Sequence, residues 1–147
     1  MGLTIGDCRL QIADSTRSVK PDDFKKRTKA YALRIIRLFE ALPCQGAAPV
    51  LGRQLLRTGT SVGANYRAAC RGKSRADFIS KMGTVEEECD ESLYWLEILV
   101  ESGHVTPKRV ADLMSEGTEI LALVVASINT ARGDRKSAIR DPQSAMK

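Results

Sequence analysis

Four stretches of this chain repeat apolar residues at intervals of three and four, and glycine or proline interrupts the pattern after each of them. From Pro21 and Asp22, a helix start that places proline before an acid, the residues Phe24, Thr28, Tyr31, Ile35, Leu38 and Leu42 recur at spacings of 4, 3, 4, 3 and 4 until Pro43. After a Gly and Pro connection over Cys44 to Pro49, Leu51, Leu55, Thr58, Val62, Tyr66 and Ala69 repeat the period up to Gly72. Ser74 with Asp77 resembles a capping box and opens a third helix, whose apolar face is Phe78, Met82, Val85, Cys89, Leu93, Leu96 and Val100, closed by Gly103. Thr106 as N-cap and Pro107 at the first helical position start a fourth, which keeps Val110, Leu113, Met114, Leu121, Val124, Val125 and Ile128 on one side until Gly133. Helices of about 22 to 28 residues, each roughly 35 to 40 Å long and joined by short loops, predict an all-α fold, an up-down-up-down antiparallel four-helix bundle. No strand alternation competes, and the regular breaks argue against one long coiled coil.

Residues 1–20 mix Gly2, Gly6, Asp7, Asp14, Ser15, Thr16 and Ser18 with isolated apolar residues, and residues 134–147 are polar. The expected organisation is a flexible arm, a bundle over residues 21–133 and a flexible tail. Within the second helix, Gly59, Ser61, Gly63, Ala64, Ala68 and Ala69 are small. Each Gly disfavours an isolated helix by about 1 kcal/mol against Ala, so close approach of a neighbouring backbone is expected there.

Charge is segregated along the chain. Between Glu40 and Asp77 there is no acidic residue, while Arg53, Arg57, Arg67, Arg71, Lys73 and Arg75 all fall in that stretch. At about 100° per residue the first four lie within an arc of roughly 80°, a basic stripe on the second helix. Glu87, Asp90, Glu91, Glu97 and Glu101 form an acidic face on the third, within roughly 120°. Trp95 and Ile98 lie off the apolar arc of that helix, which implies a second packing surface or, preferred here, a subunit interface. Net charge is +5, which suits nucleic acid, acidic proteins or anionic surfaces as partners.

Reactive constellations are scarce. His104 is the single histidine and sits at a predicted helix end. There is no Glu-x-x-His pair for a di-metal bundle, no zinc spacing of Cys and His, and no glycine-rich phosphate loop. Catalytic residues, metal and cofactor are all expected to be none. Cys8, Cys44, Cys70 and Cys89 contain no Cys-x-x-Cys pair, in keeping with a reducing cytosol. Neither a signal peptide nor an apolar run of about 18 residues is seen, so a cytoplasmic protein without a membrane span is expected.

The run from Gln54 to Ser74, with Arg57-Thr-Gly-Thr-Ser-Val-Gly-Ala-Asn-Tyr66 at its centre, followed by Ala76-Asp-Phe-Ile79 and Glu86-Glu-Glu-Cys-Asp-Glu-Ser-Leu-Tyr-Trp-Leu96, resembles the bacterial four-helix bundle family called 23S rRNA intervening-sequence proteins, or S23. The resemblance covers roughly residues 22 to 132. It implies a non-catalytic subunit that assembles as a homopentamer, sometimes encoded within ribosomal RNA genes. It also implies kinship with the accessory protein of diversity-generating retroelements, which acts with a reverse transcriptase and nucleic acid. Two functions follow. In one, Arg53, Arg57, Arg67, Arg71, Lys73 and Arg75 contact the backbone of RNA or DNA; in the other, a protein-interaction scaffold pairs the basic stripe with the acidic face and binds no nucleic acid.

Overall fold

The structure, a computed structural model, describes residues 10–11 and 18–133. Four helices account for most of it: α1 Pro21–Glu40, α2 Ala48–Cys70, α3 Arg75–Glu101 and α4 Pro107–Ala131. Two strands of two residues precede them, β1 Leu10–Gln11 and β2 Ser18–Val19, paired antiparallel with Leu10 opposite Val19 and Gln11 opposite Ser18. This ladder falls in a segment read from sequence as an arm, and two residues per strand are too few to show an alternating pattern. The rest of the arm and the tail after Gly133 lie outside the described residues.

Local chemistry sets each boundary. Pro21 leads α1, with Asp22 and Asp23 in the first turn and Arg37 in the last, each complementing the helix dipole. α2 begins at Ala48, inside the segment expected as a connection, because Pro49 is tolerated in the first turn where its missing N–H has no partner to lose. The Ser74 hydroxyl accepts from the Asp77 amide at 3.1 Å and caps α3. The second half of a capping box is displaced by one residue: the Asp77 carboxylate accepts from the Lys73 amide at 2.9 Å and from Lys81 Nζ at 2.8 Å, which holds its carboxyl below the ordinary value. α3 ends in a Schellman motif. His104 N–H reaches the Leu99 carbonyl at 3.0 Å and Gly103 N–H the Val100 carbonyl at 3.0 Å, with Gly103 at φ 80°. Thr106 occupies the N-cap position of α4 but makes no capping bond.

The helices pack in chain order, α1 on α2, α2 on α3 and α3 on α4, and the closing α1–α4 seam is the least extensive of the four between neighbouring helices. Glycines govern the α1–α2 contact. A Cβ at Gly52 would stand 2.7 Å from Leu42 Cδ1 and 2.8 Å from Phe39 Cδ2, one at Gly59 would collide with Ile35, and one at Gly63 would stand 3.0 Å from Thr28 Oγ1. The descending partner numbers show two antiparallel helices in close register. Between α1 and α4 the Arg27 guanidinium spans the gap, with Nε 2.6 Å and a terminal nitrogen 2.9 Å from the two Glu116 carboxylate oxygens and a further bond to Glu119.

The core carries a polar relay at mid-height. Ser92 donates to the Cys89 carbonyl at 2.7 Å, so the buried Tyr31 hydroxyl is the donor to Ser92 Oγ at 2.9 Å. The Cys89 thiol donates to the Gly117 carbonyl at 3.4 Å. Burial pushes the Cys89 thiol up to about 12 and raises Tyr31 as well, so both stay neutral. Thr28 and Thr58, fully buried, bond back to the Phe24 and Gln54 carbonyls at 3.1 and 3.0 Å. Phe24 meets Tyr66 edge to face at 4.6 Å.

Two substitutions separate glycine as packing requirement from glycine as local weakness. A Cβ at Gly117 would stand 2.8 Å from both the Tyr31 hydroxyl and Leu93 Cδ2, so Gly117→Ala should lower unfolding free energy in a urea titration by about 1–3 kcal/mol. Gly83, inside α3, has nothing within 4 Å of the equivalent position, and Gly83→Ala should raise it by about 0.5–1 kcal/mol.

Acid should probe the α1–α4 bridge. Arg27 holds the Glu116 carboxyl below its ordinary 4.5, so its stabilisation is complete above that value and lost as pH falls through the lower folded one. In urea midpoints, Glu116→Gln should be less stable than the parent at neutral pH, with the gap narrowing below about pH 4.5.

Candidate nucleic-acid and subunit interfaces

α2 turns Gly52, Gly59 and Gly63 towards α1 and its arginines away from the core; Ser61 and Ala64, expected at the close approach, lie on the outward side because their helical positions fall beside the arginines. Arg53, Arg57, Arg67 and Arg71 are all exposed, as are Lys73 in the following turn and Arg75 at the start of α3. At 1.5 Å per residue, Arg53 and Arg71 stand about 27 Å apart along the helix. Between the two arginine pairs the surface is low, formed by Thr60, Ser61 and Ala64. The Thr60 and Ser61 hydroxyls are turned back onto the Leu56 and Arg57 carbonyls at 2.6 and 2.7 Å. The stripe therefore presents guanidinium groups over a smooth floor.

The arginines differ in what they touch. Arg57 pairs with α3 in its own subunit: one terminal nitrogen lies 2.7 Å from Glu91 Oε1 and the other 3.9 Å from Glu88 Oε2. Arg53, Arg67 and Arg71 make no ion pair among the described residues. On α3, Glu87, Asp90, Glu97 and Glu101 are exposed, so an acidic band runs beside the basic one, and Arg57 joins them through Glu88 and Glu91.

Trp95 and Ile98 are both half-buried. Trp95 leans on the hydrophobic core and donates its indole N–H to Glu91 Oε1 at 3.2 Å, the oxygen that also accepts from Arg57. Its ring meets Tyr94 edge to face at 5.0 Å. Two residues beyond those read from sequence join this region. Tyr94 is 51% and Val50 53% exposed, and the Arg57–Glu91 register of the antiparallel pair carries Val50 towards the Ile98 level of α3. Tyr94 shares a face with Ile98 one turn on, a spacing that was open to reading; Val50 could be placed only once the helices were paired.

Groups with reactive potential do not converge. Among the described residues no three His, Cys, Asp or Glu side chains lie close enough to hold a metal ion. His104 is half-buried just beyond the α3 terminus, Cys44 is exposed, Cys70 is partly covered and Cys89 is buried. No described helix is long and apolar enough to cross a membrane.

A family model described as 23S rRNA-intervening sequence protein matches residues 22–126. Among solved structures, the chain is similar to a protein of unknown function from the S23 ribosomal protein family of Bacteroides thetaiotaomicron. Sequence identity is 35% and the TM-score 0.70, over 76% of this chain and 99% of that one. No curated protein matches the chain.

The Arg57–Glu91 contact is solvent-exposed, with side chains 54% and 40% accessible, so its contribution to stability should be small. A double-mutant cycle of Arg57→Gln and Glu91→Gln, read by urea unfolding, should give a coupling of about 0.2–1 kcal/mol that fades with added salt.

Proposed function

This chain belongs to the 23S rRNA-intervening sequence protein family, and we propose that it is a non-catalytic, self-associating bundle that holds nucleic acid by its phosphate backbone along the outward face of α2. The observation that carries this reading is that Arg53, Arg67 and Arg71 are exposed with no carboxylate on them among the described residues. Unpaired surface guanidinium groups release condensed counterions when they meet phosphates, and that release supplies sequence-independent affinity. Lys73 and Arg75 continue the basic surface past the helix end. Tyr66 is fully buried, so the stripe has no aromatic ring of its own on which a base could stack, which favours backbone contact over base reading.

For self-association we favour the apolar surface that adjoins the stripe near Glu91. Tyr94, Trp95 and Ile98, with Val50 from α2, present apolar surface amid charge, as the rim and core of a subunit interface do. A homopentamer would repeat the arginine stripe five times and make the cationic surface multivalent. Such an assembly fits a cytoplasmic role beside an rRNA intervening sequence or as an accessory to a reverse transcriptase. A second reading rests on one contact: Arg57 is occupied by Glu91 and Glu88, which is what a protein scaffold joining basic and acidic faces would show.

One pair of measurements decides between them. The parent should scatter light as a multiple of 16.1 kDa and bind unrelated nucleic-acid sequences with similar, steeply salt-dependent affinity. Arg53→Gln with Arg67→Gln should weaken every sequence alike and reduce the slope of log affinity against log salt by about 1.4 to 1.8, two phosphate contacts' worth, with the mass unchanged. Unchanged affinity in that variant, with an assembly that dissociates in Arg57→Glu, would transfer the assignment to the scaffold.

A further inference from the structure

The seam between α1 and α4 is bridged by Arg27 at one end and open at the other. There, a cleft of about 240 Å³ is lined by Arg34, Arg37 and Leu38 from α1 and by Arg109, Val110 and Leu113 from α4. Three of its six lining residues are arginines, and none of the three guanidinium groups makes an ion pair or hydrogen bond among the described residues. Glu116, further along the seam, is held in a two-bond pair by Arg27 and feels Arg34 only through space. Glu40 and Asp112, the other acids on these helices near this end, pair with none of the arginines.

The α4 wall makes the charge choice more telling. A helix N-terminus favours acidic residues in its first turn, yet the first turn of α4 holds Lys108 and Arg109 and no acid, and the Thr106 side chain makes no capping bond. The positive end of the dipole and Arg109 therefore act in the same sense, opposite Arg34 and Arg37. Such an arrangement opposes local helix stability, and local conflicts of this kind are expected at functional or strained sites. Guanidinium groups bind phosphate oxygens through paired N–H bonds, which makes arginine the side chain suited to a planar or tetrahedral oxyanion.

We propose that this cleft is a binding site for a terminal phosphate monoester, with the dianion held among Arg34, Arg37 and Arg109 and the adjoining carbon atoms lying on Leu38, Val110 and Leu113. A doubly charged group answers converging cations better than the single charge of an internal phosphodiester. The cleft is smaller than the roughly 300–1,000 Å³ usual for whole small-molecule ligands, so it takes the phosphoryl end and leaves the remainder outside. That chemistry occurs on a free nucleoside monophosphate and on the 5′ end of a nucleic-acid strand. In the order of helices around the bundle this seam lies opposite the α2–α3 seam, so the proposal does not depend on the arginine stripe.

The test uses the full chain and two matched pairs of probes: adenosine 5′-monophosphate against adenosine, by calorimetry, and one single-stranded oligonucleotide with a 5′-phosphate against its 5′-hydroxyl form, by fluorescence anisotropy. The parent should prefer the phosphorylated member of at least one pair by about tenfold, a difference of 1.4 kcal/mol. Preference for the mononucleotide alone identifies a free monophosphate as the ligand; preference for the phosphorylated strand alone identifies a strand end. Arg34→Gln with Arg109→Gln should abolish the preference, leaving the thermal melt and the 5′-hydroxyl strand affinity unchanged. Arg109→Gln alone, an exposed position remote from the core, should reduce it and serves if the double variant melts early. Arg53→Gln with Arg67→Gln should weaken both strands equally and keep the preference. Equal binding of phosphate and hydroxyl forms in both pairs overturns the proposal, as does a preference that survives in the Arg34 and Arg109 variants. Loss of all strand binding with retained adenosine 5′-monophosphate binding would instead sink the α2 reading and leave the cleft standing.

Discussion

Close contact between α1 and α2 is the constraint on which the other relationships depend. Gly52, Gly59 and Gly63 remove side chains where Phe39 with Leu42, Ile35 and Thr28 stand, so one backbone lies nearly against the side chains of the other. Overpacking at such a seam cannot be relieved by small adjustments, since interiors are packed at crystal-like density. Holding α1 against α2 leaves α4 at a greater distance from α1, and long side chains span the difference. Arg27 reaches Glu116 and Glu119 across the outside, while Tyr31 passes beside Gly117 to bond Ser92 on α3. Where no such side chain reaches across, the Arg34, Arg37 and Arg109 cleft remains.

The same geometry partitions charge. The glycine face of α2 is used inward, so its arginines face solvent, and α3 beside it exposes its carboxylates. Arg57 and Glu91 are the point where the two bands touch, and Glu91 also holds the Trp95 indole. One carboxylate oxygen thus connects the basic stripe to the aromatic surface assigned to self-association. Two different uses of the surface meet at a single exposed group.

Most of the fold was legible because helix periodicity and helix punctuation are both local. Pro21, Pro107, Gly72 and Gly103 marked ends within a residue or two, and the clustered small residues of α2 signalled a close neighbour without naming α1 as that neighbour. The Ser74 cap was visible as a spacing, whereas Thr106, identical in kind, makes no such bond because side-chain orientation is not carried by position. Pairings between helices were the illegible part. Nothing in the order of residues joins Arg27 to Glu116, or sets Arg34 and Arg37 opposite Arg109, since those relations arise only after α1 and α4 are brought side by side. Trp95 lies off the apolar arc of α3 on a helical wheel, but a wheel contains no second helix, so its lean towards the core and its bond to Glu91 are hidden from it.

The connections are short, and each helix rests mainly on the one before it in the chain, with α2 on α3 the most extensive contact and α1 on α4 the slightest. A ring of helices closed so lightly does not have to open everywhere at once. Native-state hydrogen exchange would find its slowest amides in the central α2–α3 hairpin, and α4, the helix with the lighter attachment to its neighbouring helices, would open before α1. Because these contacts join residues near in sequence, the hairpin can also assemble early, before the chain ends meet. The lightly closed seam then becomes the last surface to form and the first to expose, an entrance by which another copy of α1 or α4 could exchange places with the resident one.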